Sequence, residues 1–411
     1  VKGNVIDTLA LVSGSTFVEM LDKSMPGVPV AEALGKFKKA YPSVAGMGEG
    51  FPAFGADAVR FTLATYPPSN KRIALAPKRI EGNRHFLNKI WNATRLALDL
   101  LGDFAWQDDA PAPAGFTNRW IRSRFAAASA AAHEGFDTFR IDEAALAAYR
   151  FFWNDLCDWY LELAKPVLRP QTDGTLANPA EAAEMRATLA YVLEGALRML
   201  HPLMPFLTEE LWQRVPRPAS RGASIAFGPY PTKDAEAAHL DADTEAWMTL
   251  LQEVISAGRT IRSEHEIDGK DRKPELPLRI RSESAAVRAF LTEHAGAIRL
   301  LVRTKGDAVL EAPGGPREPG TTVSVVPSTH GPIEVLVQLK GLVDQAHEIA
   351  RVDREKKKIE KEIAVIDKKL GSPGFVDRAP KEVVEETKAQ REALVAALRR
   401  LEEARALAAE L

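Results

Sequence analysis

Along residues 79–101 apolar side chains recur at three- and four-residue steps. Leu87, Ile90, Trp91, Thr94, Leu98 and Leu101 then fall on one face of a helix that should stop at Gly102. Arg84, Asn88, Arg95 and Asp99 form a polar stripe beside that face. His85, Lys89 and Leu96 lie almost opposite it, with Lys78 just before the run. A solvated outer face of a bundle helix explains this pattern; so does a surface that offers an ammonium, an imidazole and an aliphatic side chain to a ligand.

The same periodicity organises much of the chain. Helical patterns follow at 118–134, 141–165, 180–201 and 205–214, separated by the turn-like segments APAPAG and QTDGTLANP. Asp142 is expected to cap the second of these, and Thr208 with Glu209 and Glu210 reads as helix-entry chemistry. Tyr149, Phe152, Trp153, Leu156, Trp159, Tyr160 and Leu163 form an aromatic face best read as core. Before this array, LALVSGSTFVEMLDKS predicts a short helix, and GADAVRFTLATYP predicts another with Val59, Leu63 and Ala64 inward. KGNVID reads as strand or loop. The glycine-rich run at 46–50 lacks the Lys-Ser/Thr ending of a phosphate loop.

Residues 216–243 read as a polar linker leading to one more amphipathic helix, TEAWMTLLQEVISAGRTIRSE. The period then changes. PLRI, DAVLEA, TTVSVV and IEVLVQL read as short strands, with a helical stretch between the first two, which predicts a small α+β module. The last segment is the most regular. Ile349, Val352, Ile359, Ile363, Ile366 and Leu370 keep heptad spacing with Lys356 as the only interruption. After a Gly-Ser-Pro-Gly loop the pattern resumes at Val384, Thr387, Leu394, Leu398 and Leu401, so an antiparallel coiled-coil hairpin is expected. The fold class is therefore mainly α: a helical bundle, a small α+β module and a C-terminal coiled-coil hairpin.

Composition narrows the chemistry. With 411 residues, 45% of them hydrophobic, the chain can fill several cores. Its single cysteine, Cys157, excludes an internal disulfide, suits a reducing compartment and sits in an aromatic stretch where a packed thiol is expected. No apolar run approaches the roughly 18 residues of a membrane span, and the start carries no signal-peptide pattern. Opening on Val1, the chain is expected to be a piece of a longer one. The net charge of −2 hides an uneven distribution: residues 1–100 carry 13 basic against 8 acidic side chains, and residues 101–260 carry 14 against 22. No metal-ligand spacing, Ser–His–Asp arrangement or catalytic carboxylate pair can be argued in the helical array, so no catalytic or metal-binding residue is expected.

Several stretches carry a family resemblance. Lys2-Gly3-Asn4-Val5-Ile6-Asp7 resembles the sequence that follows the K-M-S-K-S loop of class I aminoacyl-tRNA synthetases. GADAVRFTLA, EGNRHFLNKIWNATR, YRFFWNDLCDWYLELAKPVL and HPLMPFLTEELW come in the order seen in valyl-tRNA synthetases, and KKLGSPGFVDRAPKEVVEE is similar to the C-terminal coiled coil of that family. The resemblance covers essentially the whole chain. It implies the tRNA-binding part of a cytoplasmic enzyme that joins valine to its tRNA with ATP and Mg. The catalytic domain, with its H-I-G-H motif and K-M-S-K-S loop, and the editing domain would lie upstream of Val1.

From the resemblance follow four regions: residues 1–75 against the tRNA stem, 76–215 as the anticodon-binding bundle, 216–338 as linker helix and α+β module, and 339–411 as an arm at the tRNA elbow. Lys78, His85, Lys89, Asn92 and Leu96 are the implied anticodon residues, Lys89 foremost; at Leu96 an aromatic ring would stack better. Lys2, Lys71, Arg72, Arg79 and Arg84 are implied at the stem or backbone, and Lys357, Lys361, Lys368, Lys369, Arg378 and Lys381 at the elbow. The implied partners are valine tRNA and the remaining domains of the same protein, in a monomer with no membrane association and no cofactor of its own. A helical and coiled-coil scaffold without RNA affinity is the alternative.

Overall fold

The computed structural model describes residues 8–24, 29, 31–32, 34–35, 39, 50–69, 76–106, 112–269, 273–376 and 379–411. KGNVID and most of the glycine-rich run at 46–50 lie outside them. The chain divides into two compact units, Val1–Ala246 and Trp247–Leu411.

In the first unit, LALVSGSTFVEMLDKS makes two helices, Thr8–Ser13 and Phe17–Ser24, rather than the one expected. Gly14 separates them with φ +82°, a left-handed conformation that side chains other than glycine rarely adopt. Thr16 then opens the second helix with a capping box: its hydroxyl accepts from Glu19 N at 3.2 Å, and the Glu19 carboxylate accepts from Thr16 N at 3.0 Å. The two-residue strands β1 (Ser15–Thr16) and β2 (Gly50–Phe51) pair antiparallel beside it. Phe17 and Phe51 meet edge to face in a core with Leu11, Met20, Phe54, Val59 and Ile80. On helix Ala56–Ala64 the buried residues are Asp57, Ala58, Val59, Phe61 and Thr62. Of the expected inward set only Val59 is buried. Leu63 is exposed, because the helix is turned so that Phe61 meets Phe86.

The helical array follows the expected sequence of elements: Pro77–Leu101, Phe116–Asp137, Ile141–Arg150, Leu161–Leu168, Pro179–Leu200 and Pro205–Trp212. Between Arg150 and Leu161 the chain runs as a π-helix, Phe151–Tyr160. Phe152, Leu156, Tyr160 and Leu163 are buried as the aromatic face requires, whereas Tyr149, Trp153 and Trp159 are half-buried. Cys157 is buried among them, and burial pushes its thiol up to about 12. Gly195 lets helix Pro179–Leu200 approach helix Phe116–Asp137, since a Cβ there would come within 2.3 Å of the Phe125 ring.

Two expected caps are absent. Arg140, not Asp142, is the N-cap of Ile141–Arg150; the Asp142 carboxylate instead accepts from the Arg140 guanidinium at 3.0 Å. Thr208 lies inside helix Pro205–Trp212 and donates to Met204 O at 2.7 Å. That helix is capped from elsewhere: buried Asp57 accepts from Leu207 N at 2.7 Å. Burial raises the Asp57 carboxyl above its ordinary value, and the Leu207 and Phe206 amides only partly oppose this.

The 216–243 stretch contains short helical turns and is pinned to the bundle. Arg198 Nη1 donates to Pro229 O at 2.6 Å and Tyr191 Oη donates to Glu236 at 2.6 Å. Arg198 also pairs with buried Glu194 at 2.9 Å, and Trp212 Nε1 donates to the same carboxylate at 3.0 Å.

In the second unit β3 (Leu278–Ser282), β4 (Val309–Glu311), β5 (Thr321–Val326) and β6 (Ile333–Gln338) form one sheet in the order β4-β3-β6-β5. Only the β3–β4 pair is parallel, as its helical connection demands. Helices Gln345–Leu370 and Lys381–Ala409 make the expected hairpin. Every seam position named from the sequence is buried or half-buried, Lys356 included. That lysine crosses to Glu402 at 3.0 Å, and Arg405 crosses to Asp353 at 2.8 Å. The base of the hairpin is knitted to the module: Glu348 meets His265 at 2.7 Å and Arg351 at 2.7 Å, and Glu410 accepts from Arg317 at 2.8 Å and Gly320 N at 2.9 Å.

Candidate nucleic-acid interface

Helix Pro77–Leu101 is rotated from the expected orientation. Its buried residues include Ile80, Phe86, Ile90, Ala93, Ala97 and Leu100; Trp91 is 37% exposed, and Leu87 and Leu98 are half-buried. Phe86 sets the rotation, with ring centroids 4.6 Å from Tyr149 and 5.9 Å from Trp153. The stripe Lys78–His85–Lys89–Asn92–Leu96 therefore borders the buried face instead of opposing it. Lys78, His85 and Asn92 are exposed, whereas Lys89 and Leu96 are half-buried beside the π-helix and the helix after it.

Lys89 is the most constrained of the five. Its Nζ donates to Asp158 Oδ1 at 2.6 Å and lies 3.7 Å from the centre of the Trp153 ring. Trp153 is stacked in turn on Tyr149, with centroids 5.6 Å apart and planes 22° apart. Lys89, Trp153 and Asp158 thus meet at the groove where helix Pro77–Leu101 packs on the π-helix, and His85 and Asn92 lie exposed on the Lys89 side of helix Pro77–Leu101. Such a groove can present oriented donors, an acceptor and ring edges to a planar ligand.

Sequence reasoning misses Trp153 and Asp158 as groove residues. On α-helical spacing Trp153 belongs to the core face, and Asp158, five positions on, falls off that face. The i→i+5 bonding of the π-helix, seen where Leu161 N donates to Leu156 O, brings the two onto one side.

The expected backbone contacts are scattered. Lys2, Lys71, Arg72 and Arg378 lie outside the described residues. Arg79 donates to Thr65 O at 2.9 Å with its guanidinium 4.2 Å from the Tyr66 ring centre, so it also ties two helices together. Arg84 reaches Ala53 O at 3.4 Å. On the hairpin Lys357, Lys361, Lys368 and Lys381 are exposed, and Lys369 lies 4.5 Å over the Phe375 ring. Among the described residues no group of carboxylates, histidines and cysteines could hold a metal ion, and no helix is long and apolar enough to cross a membrane.

The helices that follow Pro77–Leu101 have a counterpart among known families. Residues 118–276 match the anticodon-binding domain of tRNA ligases, which sets the class of the helical region. Residues 344–407, the hairpin, match the valyl-tRNA synthetase tRNA binding arm. The chain is 36% identical to the valine–tRNA ligase of Laribacter hongkongensis over 397 residues, covering 95% of this chain and 39% of that protein. It is 37% identical to that of Acinetobacter baylyi over 386 residues, covering 93% and 38%, and 36% identical to that of Xanthomonas campestris over 390 residues, covering 95% and 39%. The chain is thus similar to valyl-tRNA synthetases along nearly its whole length, and it spans about two-fifths of the length of the curated relatives it matches.

Proposed function

We propose that this chain is the tRNA-binding portion of a valine–tRNA ligase, reading the anticodon with the groove beside Pro77–Leu101 and supporting the tRNA elbow with the hairpin. The observation that carries this reading is the presence, in one chain, of an anticodon-domain match over residues 118–276 and a binding-arm match over residues 344–407. Anticodon bases are unstacked and are read by hydrogen bonds and stacking, which suits a groove of placed donors and rings. Stem and elbow contacts are mostly to phosphate and sugar, which suits exposed lysines on a long arm.

The division proposed is residues 1–75 at the stem, 76–215 at the anticodon, 216–338 as support and 339–411 at the elbow. Lys78, His85, Lys89 and Asn92 are the polar readers and Leu96 offers an apolar edge. Arg79 and Arg84 face the stem, and Lys357, Lys361, Lys368, Lys369 and Lys381 face the elbow. The whole enzyme is proposed to work in the cytoplasm as a monomer, using ATP and Mg in its catalytic domain.

Nuclease and chemical protection mapping on valine tRNA tests the reading. Two separate protected patches are expected, one at the anticodon loop and one at the elbow. Absence of any protection would make the chain a helical and coiled-coil scaffold. The chain alone is also expected to show no valine-dependent ATP–pyrophosphate exchange, because adenylate formation needs phosphate-binding and transition-state groups that a bundle and an arm do not supply. Measurable exchange would contradict that.

A further inference from the structure

The groove contains a carboxylate that a simple anion-binding surface would not have. Asp158 is 48% exposed, more open than Lys89 at 26%, and yet it holds the lysine ammonium at 2.6 Å. Trp153 completes the clamp from the ring side at 3.7 Å. On an α-helix, residues five apart are separated by about 1.4 turns and point in different directions. The π-helix Phe151–Tyr160 removes that separation, so the unusual backbone and the clamp have one geometric cause.

A lysine on a bare surface is a mobile point charge that attracts any phosphate. Balanced by a carboxylate and seated over an indole, the same ammonium becomes an oriented donor with a weakened pull on the polyanion. Base edges are distinguished by placed donors and acceptors, whereas phosphates require only charge. We propose that Asp158 is a specificity-determining positioning residue, which fixes Lys89 over Trp153 and suppresses its general attraction for RNA phosphate so that the groove discriminates bases. The inference rests on the anticodon reading given above.

The test uses the full chain as wild type, Asp158→Asn and Asp158→Glu. Affinity is measured across a salt series for valine tRNA and for the same tRNA with an altered anticodon, with circular dichroism as a check on folding. Wild type should prefer the valine anticodon by about five-fold or more. Asp158→Asn should bring the two affinities close to equality. It should also bind the altered tRNA more tightly than wild type does, with a salt dependence steeper by about 0.7–0.9 log units, as one additional neutralised phosphate would give. Asp158→Glu, which keeps the charge, should retain most of the preference. A preserved ratio in Asp158→Asn, or parallel weakening for both RNAs, overturns the assignment while leaving the anticodon reading intact. No preference in the wild type overturns the anticodon reading itself, and this inference with it.

Discussion

The groove beside Pro77–Leu101 and the terminal hairpin both present lysine, and they hold it in opposite ways. Lys89 is gripped by a residue 69 positions away, on an element whose backbone departs from α-helical geometry. Lys357, Lys361 and Lys368 stand exposed on a helix stabilised by its own seam with the returning arm. The first arrangement gives direction to a charge, and the second gives it reach. A surface that must tell bases apart needs the first kind, whereas one that steadies a helical backbone needs only the second.

The contrast extends to stability, and the largest expected effect lies in the bundle. Glu194 is buried with Arg198 and also accepts from Trp212. Removing it by Glu194→Ala strands a buried guanidinium and an indole N–H, so a loss of about 3–5 kcal/mol is expected in urea unfolding of the bundle. A change below about 1 kcal/mol would mean that the pair is solvated in solution.

The joint between arm and module comes next. Burial alone would raise the Glu348 carboxyl, but hydrogen bonds from Arg351 and His265 outweigh it and hold the group at about 2 against an ordinary 4.5. A carboxylate depressed in the folded state stabilises fully above its unfolded value, and that contribution fades as pH falls from about 4.5 toward 2. The contribution is on the order of 3 kcal/mol. Hydrogen exchange at the hairpin base should therefore speed up over that window in the wild type. Glu348→Gln should lose protection already at neutral pH and show a flatter acid dependence; an unchanged profile would remove Glu348 as the pin.

How legible each region is in sequence follows from the same contrast. The hairpin is written in heptads, and its seam appears where the spacing puts it, because each residue there answers to neighbours three, four or seven positions away. The helices of the bundle are equally legible as elements. Their rotations are not: Trp91 and Leu63 have inward spacing and yet lie exposed, because Phe86 and Phe61 pack on residues far along the chain and turn their helices. The groove suffers most. A 3.6-residue period has no place for a π-helix, so it hides the five-residue pairing of Trp153 with Asp158. It is equally blind to the cap that Asp57 provides to a helix some 150 residues away. The periodic pattern together with the family resemblance singles out Lys89, but not the partners that hold it.

A smaller effect should separate the two lysine sets. Replacing Lys357, Lys361 and Lys368 together by Gln should lower affinity equally for tRNAs of any anticodon. The salt dependence should flatten by about 0.7–0.9 log units for each phosphate that is no longer neutralised. An unchanged slope would reassign the arm to a structural or protein-binding role.

The central claim, that the groove reads bases and does so through Lys89, is tested most directly by one competition titration. Valine tRNA and the same molecule with a substituted anticodon are measured against wild type and Lys89→Ala at fixed salt. The account predicts a preference in the wild type that Lys89→Ala reduces by about 1–3 kcal/mol, the scale of one specific base interaction, with little change for the substituted tRNA. Equal losses for both tRNAs would make Lys89 a phosphate-binding residue and contradict the claim.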